Sequence, residues 1–191
     1  MSTSDSAPSL YLASASPRRA ELLNQIGIPF QIFPVAIDES WPNHECLEDY
    51  VARLSAQKAL AAAAQLPAGS VVLAADTGGI CGDERLVKPL GEEDAVRMLL
   101  EMSGRAHTVS TAISVCCNDY LETLVVSSQV FFRTITEAEC RRYWLSGEPY
   151  DKAGSYAIQG LAAVFVARIE GSYSGVVGLP LCETAGLLAK F

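Results

Sequence analysis

The amino-acid sequence predicts an α/β protein with a mixed, twisted β-sheet flanked by helices, and three observations carry that prediction. Short apolar runs in the first half each hand over to a helical pattern, at residues 10–26, 30–65 and 70–102. Two β-rich stretches, 106–115 and 121–133, then follow one another across a short polar turn and read as an antiparallel pair. No repeat, low-complexity tract or long linker interrupts the 191 residues, so one domain over 9–191 is the simplest account, preceded by a frayed tail at 1–8.

Each element has a local reason. Leu10-Tyr11-Leu12-Ala13 reads as a short strand, and the helix after it has both ends written in the sequence: Ser16 as cap, Pro17 at the first position and Gly27 past the end. A second strand, Phe30 to Val35, precedes a long helical pattern from about Glu45 to Gln65. The continuous apolar run Ser70 to Ala75 reads as a buried central strand that stops at Asp76. A helix over Glu92–Met102 carries Ala95, Met98, Leu99 and Met102 on one side, with Gly104 just beyond. Residues 117–120, Cys-Asn-Asp-Tyr, form the turn between the two β-rich stretches. Thr136-Glu137-Ala138-Glu139 is a capping box opening a short helix. Ala163–Ile169 reads as a last strand and Pro180–Ala189 as a closing helix.

Composition excludes several classes of function. The chain holds 14 Lys+Arg against 22 Asp+Glu, a formal charge of −8, which argues against a nucleic-acid partner, since that needs a basic surface. Any bound anion must therefore be met by a local cluster of cations. No apolar run approaches the roughly 20 residues that span a bilayer, and the start lacks the basic and apolar regions of a signal peptide, so a cytoplasmic location without membrane contact is expected. The six cysteines show no C-x-x-C spacing and read as reduced thiols.

Four places can carry chemistry. In Ser14-Ala15-Ser16-Pro17-Arg18-Arg19 two hydroxyls and two guanidinium groups converge on a helix start, which favours phosphate; the alternative is exposed arginines decorating a cap. Lys58 falls on the apolar stripe Leu47, Val51, Leu54, Lys58, Ala61, so its ammonium either faces inward to a partner or snorkels at the core edge. Asp76-Thr77 lies where the most hydrophobic strand ends, a position for a metal ligand or proton acceptor and equally for a turn former. Residues 151–160, Asp-Lys-Ala-Gly-Ser-Tyr-Ala-Ile-Gln-Gly, mix glycines with polar groups, and the Gln159 amide can either read a nucleobase edge or sit in a structural loop. Glu39 and Lys88 lie in polar loops and are weaker candidates on their own residues.

Together these segments resemble the Maf family of nucleoside triphosphate pyrophosphatases, also described as septum-formation-related proteins. The likeness runs from Leu10 to about Leu188 and includes Leu-Tyr-Leu-Ala-Ser-Ala-Ser-Pro-Arg-Arg at 10–19, Ala-Ala-Asp-Thr at 74–77, Lys88-Pro89, the 98–104 helix end and Val177-Gly178-Leu179-Pro180. The resemblance implies an inosine-triphosphatase-like fold with a nucleotide-binding cleft. It also implies cleavage of a nucleoside triphosphate between its α and β phosphates with a divalent cation, Mg²⁺ or Mn²⁺, and a homodimer. By the same resemblance Asp76 is the proton acceptor and Arg18, Thr77 and Gln159 bear on substrate choice. Ser14, Arg19, Glu39, Lys58 and Lys88 match further binding or catalytic positions, with Asp76 and Glu39 as the metal carboxylates. The 151–160 segment looks like the branch acting on dTTP and UTP; the alternatives are the branch that prefers 7-methyl-GTP, or a nucleotide-sensing regulator of cell division acting through a partner. Gly78-Gly79 departs from the β-branched residues usual there and predicts a loosened strand end beside Asp76.

Overall fold

The computed structural model describes residues 10–191; the expected frayed tail lies outside the described residues. One mixed sheet is formed, in the order β2-β1-β3-β5-β6-β7, with β4 added to β3. Its strands are β1 (Leu10–Leu12), β2 (Gln31–Ile32), β3 (Val71–Cys81), β4 (Glu84–Arg85), β5 (Ala106–Cys117), β6 (Tyr120–Phe132) and β7 (Val166–Glu170). β1 pairs parallel with β2 and β3, while β3–β5, β5–β6 and β6–β7 are antiparallel. The helices are α1 (Pro17–Gln25), α2 (Leu47–Ala63), α3 (Glu92–Met102), α4 (Glu137–Trp144), α5 (Tyr173–Val177) and α6 (Leu181–Leu188).

Alternation along β3 sorts the core into two layers, because successive side chains of a strand leave opposite faces. Leu73 and Ala75 join Leu22, Leu23, Leu99, Met102 and Leu187 on one face. Val72 and Ala74 join Ala59 and Ala62 of α2 on the other. Asp76 continues this second series towards α2, and Thr77 turns back to the first. The buried face of α2 includes Leu47, Val51, Leu54 and Lys58 as their spacing predicts, but it ends on Ala59 and Ala62 rather than on Ala61, which is half-buried. The capping box at Thr136 forms as read, with Glu139 N–H donating to Thr136 and the Glu139 carboxylate receiving Thr136 N–H at 2.8 Å.

Several expectations are corrected. β3 does not end at Asp76 but runs on to Cys81, with Asp76 opposite Ala112 and Gly78 opposite Ser110 in the ladder with β5. Gly78-Gly79 does not loosen this stretch. A Cβ on Gly78 would lie 2.9 Å from Leu47 Cδ1, and one on Gly79 would lie 3.0 Å from Leu86 Cδ1 and 3.2 Å from the Thr108 carbonyl, so the glycines admit close neighbours. Ser16 stands at the α1 N-cap, but its side chain makes no cap bond. The second strand shrinks to Gln31–Ile32 because β1 offers only three residues to pair with. Residues 161–165 form a 3₁₀ turn before β7, and α5 and β4 were not legible as periodic patterns. No described helix is long and apolar enough to cross a membrane.

Candidate functional site

The topology opens one place on β3. β1 pairs with this strand only as far as Leu73, β4 joins the same edge only from Ile80, and residues 74–79 between them have a strand neighbour on the β5 side alone. Beside this gap lies a cavity of about 560 Å³ whose lining includes Arg18, Arg19, Thr77, Lys88, Tyr156 and Gln159. Among the described residues five cationic side chains form no salt bridge, namely Arg18, Arg19, Arg85, Lys88 and Arg142, and three of them line this cavity.

Arg19 is fixed in place. Its Nε donates to the Gly178 carbonyl at 2.9 Å, Nη1 to Ser14 Oγ at 3.2 Å and Nη2 to Thr77 Oγ1 at 3.1 Å. Burial pulls its pKa down and the nearby Asp76 carboxylate opposes that pull. Thr77 is held in turn by Thr111, its ladder partner, whose hydroxyl lies 2.8 Å away and donates to the Gly175 carbonyl at 2.7 Å. Ser14 Oγ also accepts the Ser16 N–H at 3.2 Å, which leaves the Ser16 hydroxyl on the cavity wall.

Lys58 faces inward rather than snorkelling. Its Nζ lies 2.6 Å from Asp76 Oδ1 and 2.6 Å from Glu39 Oε1, so the spare ammonium of the apolar stripe has two carboxylate partners. Asp76 and Lys58 are both buried, whereas the Glu39 side chain is 58% exposed. Burial raises the Asp76 pKa; Lys58 and then Arg19 hold it down against that rise. Ser14, Lys58, Asp76 and Glu39 adjoin the cavity through these contacts rather than lining it.

The loop that carries Glu39 is strapped down by residues that the sequence did not single out. Tyr50 Oη donates to the Glu39 carbonyl at 3.2 Å, Arg53 holds Glu45 through two bonds of 2.7 Å, and Arg85 donates to the Trp41 and Pro42 carbonyls at 2.6 and 2.7 Å. Trp41 stacks on Tyr50 at 4.1 Å, with Arg85 over its ring at 4.4 Å. No local pattern announces such a strap, since its partners come from three separate segments.

Among the described residues no group of three or more His, Cys, Asp or Glu side chains forms a ready-made metal cage. Asp76 and Glu39 nevertheless offer hard oxygen donors, each with one oxygen on Lys58 and a second one not engaged there. That donor set suits a Mg²⁺-type ion, which is commonly held by one or two carboxylates together with substrate phosphates. All the expected site residues thus lie at or beside one cleft, with cations and hydroxyls on one side of the β3 edge and the Lys58-bridged carboxylates on the other.

A cation-lined cleft of this kind, with a buried carboxylate beside it, defines an α/β protein built to meet an anion. The chain belongs to the Maf-like family: the model described as Maf-like protein matches residues 9–191. A dTTP/UTP pyrophosphatase of Vibrio parahaemolyticus is 51% identical over 183 residues, 96% of this chain and 97% of that protein. A dTTP/UTP pyrophosphatase of Methylobacillus flagellatus is 51% identical over 94% of this chain and 90% of its own. The solved Staphylococcus aureus Ham1 protein is 20% identical and superposes with a TM-score of 0.46 over 68% of this chain and 72% of that one. At that level the likeness says nothing about substrate or site.

Proposed function

We propose that this enzyme hydrolyses dTTP and UTP to the nucleoside monophosphate and pyrophosphate, with the triphosphate lying along the gap at the β3 edge. The observation that carries this reading is the concentration of unpaired cations, Arg18, Arg19 and Lys88, on one cavity beside Asp76 in a protein of net charge −8. The names of relatives at about half identity over nearly the whole chain supply the substrate.

In this reading Arg18, Arg19 and Lys88 bind the phosphates, with Ser14 and Thr77 holding the Arg19 fork at the required angle. Water attacks the α phosphorus, its proton passes to Asp76 Oδ2, and the bond to the bridging oxygen breaks with its electron pair leaving on pyrophosphate. Lys58 keeps Oδ1 occupied and favours the ionised form of Asp76 against the burial that raises its pKa, so the free oxygen is the acceptor. Asp76 and Glu39 would hold a divalent cation, Mg²⁺ or Mn²⁺, together with phosphate oxygens; when bound, it supplies positive charge for the leaving group. The Gln159 amide faces the pyrimidine edge.

Purified protein with Mg²⁺ or Mn²⁺ is expected to convert dTTP to dTMP with one pyrophosphate per turnover. Asp76→Asn should lower kcat by about 10²–10⁴-fold while dTTP still binds. Absence of pyrophosphate with every pyrimidine and modified triphosphate overturns the reading. Sedimentation at the mass of a single chain removes the homodimer that the family resemblance implies.

A further inference from the structure

We propose that Tyr143 and Glu148, neither of which lines the cavity, form a positioning pair that sets base selectivity by clamping both flanks of the turn that presents Gln159. The inference rests on the reading of that turn as base-facing.

The turn Ala157–Gly160 closes through the Gly160 N–H on the Ala157 carbonyl at 3.0 Å. On its leading flank, Ala157 N–H donates to Tyr143 Oη at 3.1 Å. That hydroxyl donates onward to Glu148 Oε1 at 2.6 Å. On the trailing flank, the same carboxylate accepts Leu161 N–H at 3.0 Å and Ala162 N–H at 3.4 Å. One side-chain pair from the α4 end and the segment after it therefore grips the turn before and after Gln159. The grip is tight enough to dictate sequence, because a Cβ on Gly160 would collide with the Glu148 carboxylate.

The two clamp residues are themselves fixed. Tyr143 is buried and meets Phe165 edge-on at 5.4 Å between centroids. Burial, followed by the hydrogen bond to Glu148, pushes its pKa up, so the phenol keeps the proton that it donates. Gln159, by contrast, is exposed at the tip, lines the cavity and has no hydrogen-bond partner among the described residues. An amide without a partner of its own points where its backbone aims it, and here the backbone is aimed by the clamp.

The test compares kcat and KM for dTTP, UTP and GTP in the wild type, Tyr143→Phe, Glu148→Gln, the double variant and Gln159→Ala. Tyr143→Phe removes one hydroxyl from a packed ring, so it keeps the fold, which a thermal melt verifies if Glu148→Gln does not express. Each clamp variant should raise KM for dTTP about 5–10-fold with kcat within about twofold, and lower the dTTP-over-GTP ratio of kcat/KM about tenfold, the scale of a lost hydrogen bond. The double variant should lose no more than the larger single, since one network is being cut. Faster amide exchange at Ala157, Leu161 and Ala162 should accompany the loss. If Gln159→Ala shifts the ratio and both clamp variants leave it within twofold, the clamp is structural only and the proposal falls. If the clamp variants shift it and Gln159→Ala does not, the clamp stands and base reading by Gln159 falls. If none shifts it, both fall.

Discussion

The charged centre around Asp76 and the turn around Gln159 border the same cavity, yet they are built by opposite means. Asp76 and Lys58 come from an eleven-residue strand and a seventeen-residue helix, and their ion pair at 2.6 Å is backed by a continuous ladder to β5. The Gln159 side consists of 3₁₀ pieces, with positive φ at Gly154 and Ser155, and is fastened by a few bonds from side chains to backbone. Its buried polar groups are neutral: His107 shares a 2.7 Å bond with Tyr156, whose ring lies against it at 5.4 Å. The difference teaches that the Lys58–Asp76 pair is delivered by regular elements, while the proposed selectivity surface hangs on a handful of replaceable bonds. Rate and selectivity should therefore be separable by mutation.

The largest effect expected from breaking this contrast is at Lys58. Lys58→Met leaves Asp76 and Glu39 facing each other without the ammonium, and kcat/KM for dTTP should fall about 10²–10³-fold, since both transition-state charge and the acceptor are affected. Lys58 lowers the Asp76 pKa against burial, so its loss lets that pKa climb further, and the acidic limb of the residual pH–rate profile should move to higher pH. A limb that stays in place assigns it to another group.

Acid should strike the other region next. Burial lowers the His107 pKa from 6.5 to about 4, so below pH 6.5 the unfolded chain binds the proton that the folded chain refuses. Stability is then fully present above pH 6.5 and declines as pH falls towards 4, by about 2–3 kcal/mol between pH 7 and 4.5. Urea unfolding at the two pH values measures this, and His107→Gln should flatten the difference; an equal decline in the variant places the acid sensitivity elsewhere.

The smallest effect sharpens the comparison from the turn itself. Gly160→Ala forces the Glu148 carboxylate aside and should cost about 1–3 kcal/mol, read as a Tm lower by about 2–4 °C for each kcal/mol. Its kcat should stay within a few-fold of wild type, in contrast to Lys58→Met. A collapse of kcat at Gly160→Ala would show that the two regions are not separable.

Legibility in the sequence follows the same division. The α2 stripe held Lys58 without deciding whether it turned inward or snorkelled, and the Thr136 box, the Glu92–Met102 helix and the two long antiparallel strands were readable because each depends on residues within one or two turns of itself. Asp76 was found, but its position within the strand was misread, because Gly78-Gly79 looks like a break until Leu47 and Leu86 are seen to fill the space. Thr111 could have been suspected from the hydroxyls at 108, 110, 111 and 114 that interrupt an otherwise apolar strand. The Glu39 strap and the Tyr143–Glu148 clamp left no such trace.

The sequence by itself determined the order of α1 to α4, α6 and the long strands and put Lys58 on the apolar stripe of its helix, since periodicity and capping are local properties, while the full set of residues expected to meet a triphosphate came from the family resemblance. Only the tertiary structure decided that β1 and β4 stop short of one another along β3, that Lys58 meets Asp76 across 18 positions, and that Arg19 reaches Gly178 across 159. Those contacts are chosen by the packing of whole elements against one another, and the spacing of residues along a chain holds no record of them.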